Sequence, residues 1–140
     1  MKTKPLILLW LFLLAQGAPA VTNFEFVVIG DTRPRFESES FRTFEALIPG
    51  INALKPAFVI NLGDLIYGYG TQRKEKQWDG YVEAVRAFTV SYRQLPGNHD
   101  VFSKDAQEIY ARRFGRFYES FDYGECHFVL LDSCEEGQWG

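Results

Sequence analysis

The stretch Phe58-Val59-Ile60-Asn61-Leu62-Gly63-Asp64-Leu65-Ile66-Tyr67 decides the fold. Its first five residues are a short apolar run stopped by glycine, the pattern of a buried strand. A carboxylate follows at once, where the strand gives way to a loop. The same order occurs on either side. Phe24-Glu25-Phe26-Val27-Val28-Ile29 is an apolar run closed by Gly30-Asp31-Thr32-Arg33. A weaker run over 90–95 is closed by Pro96-Gly97-Asn98-His99-Asp100. Asp31 and Asp64 stand 33 positions apart, and Asp64 and Asn98 stand 34 apart. Each interval is close to one βαβ unit of ~30 residues.

Helical patterns fill the intervals. Ser38 is expected to cap a helix with Phe41, Phe44, Ile48, Ile51 and Leu54 on one face. Pro49 should kink or split it, and Lys55-Pro56 should end it. A second helix is expected over 71–88, with Trp78, Tyr81, Val82, Val85 and Phe88 inward and Arg73-Lys74-Glu75-Lys76 as an exposed charged start. A short helix follows Ser103, with Ala106, Ile109 and Tyr110 inward. Segments 117–123 and 127–131 read as an antiparallel hairpin turning at Gly124-Glu125. Strand, helix, strand, helix, strand is an α/β pattern with a parallel sheet. Ligands of such sheets lie beyond the carboxyl ends of the strands, where the three polar tips fall.

Composition narrows the function. Of 140 residues, 46% are hydrophobic and 24% charged, a balance that builds a core and excludes disorder. The net charge is −3, and losing Lys2 and Lys4 with an export signal makes it −5. So acidic a chain is not expected to grip nucleic acid through a basic surface. Residues 1–20 read as that signal: Lys2 and Lys4, the apolar stretch LILLWLFLLA, then Ala18-Pro19-Ala20 as a cleavage pattern. The apolar stretch is shorter than the ~20 residues a membrane span needs. The expectation is a secreted or periplasmic protein without stable membrane insertion after cleavage. Cys126 and Cys134 flank one expected strand, whose extended length keeps them too far apart to bridge.

Two aspartates, an asparagine and a histidine on one rim suit a hard or borderline cation, because carboxylates bind such ions and one carboxylate can bridge two. A glycine before each tip lets the chain turn without a Cβ in the way. A single Gly-Asp is ordinary turn chemistry. Three tips at matched spacing, one of them Gly-Asn-His-Asp, are not.

With these residues, VVIGDTR, FVINLGDLIYGYG, QLPGNHD and FGRFYESFDYGECHFVLLDS in order, the chain resembles the N-terminal half of the calcineurin-like metallophosphoesterases. The resemblance implies a β-sandwich flanked by helices and holding two metal ions, of Mn, Fe or Zn. It implies that Asp31 binds the first metal, Asp64 bridges both and Asn98 binds the second. It makes His99 the catalytic group, protonating the leaving oxygen or stabilising the transition state while a metal-held hydroxide attacks phosphorus. Two departures stand out. The family's Asp-x-His is Asp31-Thr32-Arg33 here. Tyr67, in Gly63-Asp64-x-x-Tyr67, either replaces that histidine as it does in purple acid phosphatases or packs beside the loop. Arg33 either holds a substrate phosphate oxygen or is a surface arginine. The family's later lone histidine and Gly-His-x-His are missing, so 21–140 is expected to be the N-terminal part of a truncated domain, inactive by itself. His127 reads as structural, Asp100 as a support for His99 or the loop, Asp132 as a turn residue, and Arg112, Arg113 and Arg116 as a solvated helix end. The function this implies is an exported metal-dependent phosphoesterase acting on small phosphate mono- or diesters. The alternative is a non-catalytic phosphate- or partner-binding module with a degenerate metal site, which the missing histidine favours.

Overall fold

A computed structural model describes residues 23–37, 39–68 and 74–134. The expected signal over 1–20, the Ser38 cap, Tyr69 and the first residues of the second helix lie outside them. The elements run β1 (Val27–Ile29), α1 (Arg42–Leu54), β2 (Phe58–Asn61), α2 (Lys74–Val85), β3 (Ser91–Gln94), α3 (Asn98–Val101), α4 (Lys104–Phe114), β4 (Glu119–Tyr123) and β5 (Cys126–Leu130). Strands β1, β2 and β3 form a parallel sheet in that order, with Ile29 opposite Asn61 and Asn61 opposite Gln94. The near-equal sequence intervals thus bring the three strand ends level. β4 and β5 pair antiparallel, with Phe121 opposite Phe128. The expected mixed α/β architecture is present.

Alternation along β2 and β3 sorts side chains between two cores. On one face Phe58 and Ile60 meet Leu130, Phe121, Tyr123 and Phe128 of the hairpin. Their rings pack at right angles, with Phe58 5.2 Å from Phe121 and 5.1 Å from Phe128. Arg93 points the same way, lying 3.7 Å over the Phe121 ring and bonding Glu119. On the other face Tyr92 joins the helical core built from Phe44 and Ile48 of α1, Trp78, Tyr81 and Ala84 of α2, and Tyr110 of α4. Tyr81 donates to Gln94 at 2.7 Å, tying α2 to β3. Helices, parallel sheet and hairpin therefore lie in three layers. Each fully buried large side chain contributes roughly 1.5–3 kcal/mol.

Several local expectations need correction. α1 runs unbroken through Pro49. Pro49 and Glu45, whose carbonyl loses its donor, are both exposed, so the lost bond falls on the solvent side of the helix. Phe41, expected inside this helix, stands at its N-cap position, and Leu54 is exposed rather than inward. Lys74 is not part of an exposed start. It is buried against the Phe102 ring, with its ammonium 2.8 Å from Asp105. Arg112 and Arg113 are not merely solvated, because both bind Glu75 and Arg113 also binds Asp79. His127 is exposed on the hairpin and pairs with Asp122 of the facing strand at 2.6 Å. The short helix expected after Ser103 is α4, which Ser103 caps by accepting from the Ala106 amide. Both cysteines are free. Among the described residues no helix is long and apolar enough to cross a membrane.

Candidate metal centre

Three loops leave the carboxyl ends of β1, β2 and β3 and are clipped together by backbone. The Asp31 amide donates to the Gly63 carbonyl at 3.0 Å, and the Arg33 amide donates to the Asp64 carbonyl at 2.9 Å. The second and third loops touch more closely still. A Cβ on Gly97 would lie 2.2 Å from the Asp64 amide nitrogen and 2.3 Å from its Oδ1. Glycine at 97 is thus required by close approach, with its φ in the extended region. Gly63 has φ +104°, and a Cβ there would lie 2.3 Å from the Gly97 nitrogen. Gly30 meets neither condition, so the turn-making role expected of all three glycines holds for only two. In the first loop the ligand candidate itself takes the rare backbone conformation. Asp31 has φ 52° and Asp64 has φ 55°, both in the left-handed region that non-glycine residues seldom occupy. Such conformations persist where the surroundings over-determine them, and they cluster at functional sites.

Asp100 does much of that determining. It is fully buried and accepts from the Leu65 amide, the Ile66 amide at 3.0 Å and the Gly97 amide at 2.8 Å. One carboxylate thus joins the second loop to the third, immediately beside Asp64. Burial pushes its carboxyl up to about 7, against the pull of those amides. Of the two supporting roles open to it, these bonds serve the loop.

Asp31, Asp64 and Asn98 line one shallow cavity of about 280 Å³, together with Ser133 and Cys134. The Asp64 carboxylate is addressed from two sides. Its Oδ1 accepts the His99 backbone amide at 3.1 Å. Its Oδ2 lies 3.4 Å from Arg33 Nε and 3.8 Å from His99 Nε2. The His99 ring is held by its Nδ1, 2.5 Å from the Tyr67 carbonyl. A carbonyl oxygen only accepts, so Nδ1 carries a hydrogen and Nε2 is the nitrogen that gains or gives up a proton. The Tyr67 ring stands beside His99, centroids 6.2 Å apart, and is not among the residues lining the cavity. Arg33 lines a neighbouring cavity of about 310 Å³ with Asp31, Thr32 and Arg35.

Two aspartates and an asparagine around one cavity offer carboxylate and amide oxygens, donors that hard and borderline cations accept. Asp31, Asp64 and Asn98 therefore fit a divalent ion as part of its shell. Among the described residues no group of three or more His, Cys, Asp or Glu side chains is placed to hold a metal ion. Sequence reasoning missed Cys134 and Ser133 on the cavity wall, because they follow the hairpin and only the packing of that hairpin brings them under the loops. It also did not foresee the contact of Arg33 with Asp64, which lies 31 positions away.

No curated protein and no solved structure matches the chain. Residues 24–136 match the family described as calcineurin-like phosphoesterase, a span that takes in both sheets and all three loops. The chain belongs to the calcineurin-like phosphoesterase family.

Proposed function

We propose that the chain is the N-terminal part of an exported phosphoesterase acting on small phosphate mono- or diesters, with Asp31, Asp64 and Asn98 helping to hold a pair of Mn, Fe or Zn ions and His99 acting on the substrate. The family is one of phosphoesterases and typically uses divalent metal ions. The observation that carries the reading is the meeting of Asp31, Asp64 and Asn98 on one cavity wall, with His99 Nε2 3.8 Å from Asp64. Bound there, such ions would activate water and offset charge developing on the phosphoryl group. The chain's own residues do the rest. Asp64, clamped between two loops, would be a carboxylate ligand of the ions. His99 presents Nε2 to the leaving oxygen and supplies its proton. Arg33 turns its guanidinium to a phosphate oxygen. Tyr67 packs against His99 and orients it through its carbonyl.

Substitution in the complete protein tests these roles, read by elemental analysis of bound metal and by hydrolysis of an aryl phosphate. Asp64→Asn should lose both metal and turnover. His99→Ala should keep its metal while turnover drops by roughly 10²–10⁴-fold, the usual worth of general-acid help. Tyr67→Phe should keep its metal and lack any change in visible absorption. Metal loss in His99→Ala, or full activity in Asp64→Asn, would overturn the assignment. A second reading, a phosphate-binding module without turnover, is favoured by the placement of Arg33 on Asp64 where the family has a histidine. Phosphate binding without hydrolysis, whatever metal is supplied, would establish it instead.

A further inference from the structure

Resting on that reading of the metal centre, we infer that Arg33 competes with a cation for the Asp64 carboxylate, and that a cation taking Oδ2 turns the guanidinium to a phosphate oxygen. Arg33 thereby couples metal loading to anion binding. The geometry supports this in three ways. First, the two Asp64 oxygens are differently engaged. Oδ1 is held by the His99 backbone amide, which cannot leave without moving the third loop. Oδ2 meets Arg33 Nε at 3.4 Å, longer than a good charge-assisted bond, and so is the oxygen open to exchange. Second, Arg33 is anchored by its backbone amide to the Asp64 carbonyl at 2.9 Å. Its head group can move by rotation about side-chain bonds while the loop stays in place. Third, there is somewhere for it to go. The cavity beside it is lined by Arg33 and Arg35, two cations that can take an oxyanion, and by the carboxylates of Asp31 and Glu39, which an oxyanion must avoid.

The charges set the size of the effect. A divalent ion within bonding reach of Oδ2 would stand about 5 Å from a guanidinium that kept its place. Even in a water-like dielectric, that repulsion weakens binding roughly tenfold. Relief comes when the guanidinium swings to an anion. Coupling is reciprocal, so phosphate must tighten the metal by the factor by which the metal tightens phosphate.

The test titrates the full chain with Mn²⁺, following the resonance signal of the free ion, with and without inorganic phosphate. Without phosphate, Arg33→Ala should bind Mn²⁺ roughly tenfold more tightly than the wild type. Arg33→Lys, which keeps the charge, should stay within about threefold of the wild type. Phosphate should tighten Mn²⁺ more in the wild type than in Arg33→Ala. Asp64→Asn serves as the control for the site and should lose the binding. Saturable binding that Asp64→Asn abolishes, yet Arg33→Ala leaves unchanged or weakens, would overturn the inference alone. An equal phosphate effect in wild type and Arg33→Ala would overturn the coupling. Mn²⁺ binding that is missing throughout, or indifferent to Asp64→Asn, would overturn the metal reading and this inference with it.

Discussion

The chain's two histidines sit in opposite surroundings, and the contrast separates two kinds of structural specification. His99 stands on the loop rim, its ring held by the Tyr67 carbonyl and its backbone amide by Asp64. His127 stands on the hairpin, exposed, with one side-chain partner from the facing strand, Asp122. The hairpin is specified by alternation. Phe121, Tyr123 and Phe128 face the sheet, and the residues between them meet water. Such a surface tolerates exchange, because an exposed pair contributes little. The rim is specified by backbone meeting backbone. Its atoms are held by amide donors, a buried carboxylate and two glycines that leave no room for a side chain. There a single atom added or removed disturbs several groups at once.

Three substitutions test that contrast. The largest effect should come from Asp100→Ala. It strands the amides of Leu65, Ile66 and Gly97 without acceptors in a buried place, costing about 3 kcal/mol or more. Urea denaturation measures it. Gly97→Ala comes next, at about 2 kcal/mol, because the new Cβ meets the Asp64 backbone and carboxylate. Its partner experiment is Gly115→Ala after α4, where φ is +85° and nothing lies within 4 Å of the added carbon. Only backbone strain remains there, about 1 kcal/mol. If the two glycine variants prove equally destabilised, close approach is not what holds the second and third loops. The smallest effect belongs to the hairpin. His127→Gln should change stability by less than about 0.5 kcal/mol. A loss comparable to that of Asp100→Ala would show that the hairpin surface is as constrained as the rim.

Much of this is legible in the sequence. The apolar runs around β1, β2 and β3, the helical spacing of Phe44, Ile48 and Ile51, and the hairpin with its Gly124-Glu125 turn all follow from side-chain periodicity. The errors fall where periodicity carries no information. Pro49 sits harmlessly in α1 because its face meets solvent, and solvent exposure depends on what packs alongside. The charged neighbours of Lys74 predict an exposed side chain. It is buried because Phe102 and Asp105, from another part of the chain, cover it.

By itself the sequence determined the α/β pattern, the level placement of three polar tips and their identity as Asp31, Asp64 and Asn98-His99. Those properties depend on local spacing and on residue chemistry, both of which can be read along one dimension. Only the tertiary structure decided the left-handed backbone at Asp31 and Asp64, the contact of Gly97 with Asp64, the three amides on Asp100 and the placement of Arg33 on Asp64. Apart from the Gly97 amide, three positions from Asp100, each of these joins residues about 30 or more positions apart or is enforced by such a junction. The energy that holds them comes from excluding water and from packing neighbouring loops, and it exists only once those loops have been brought together.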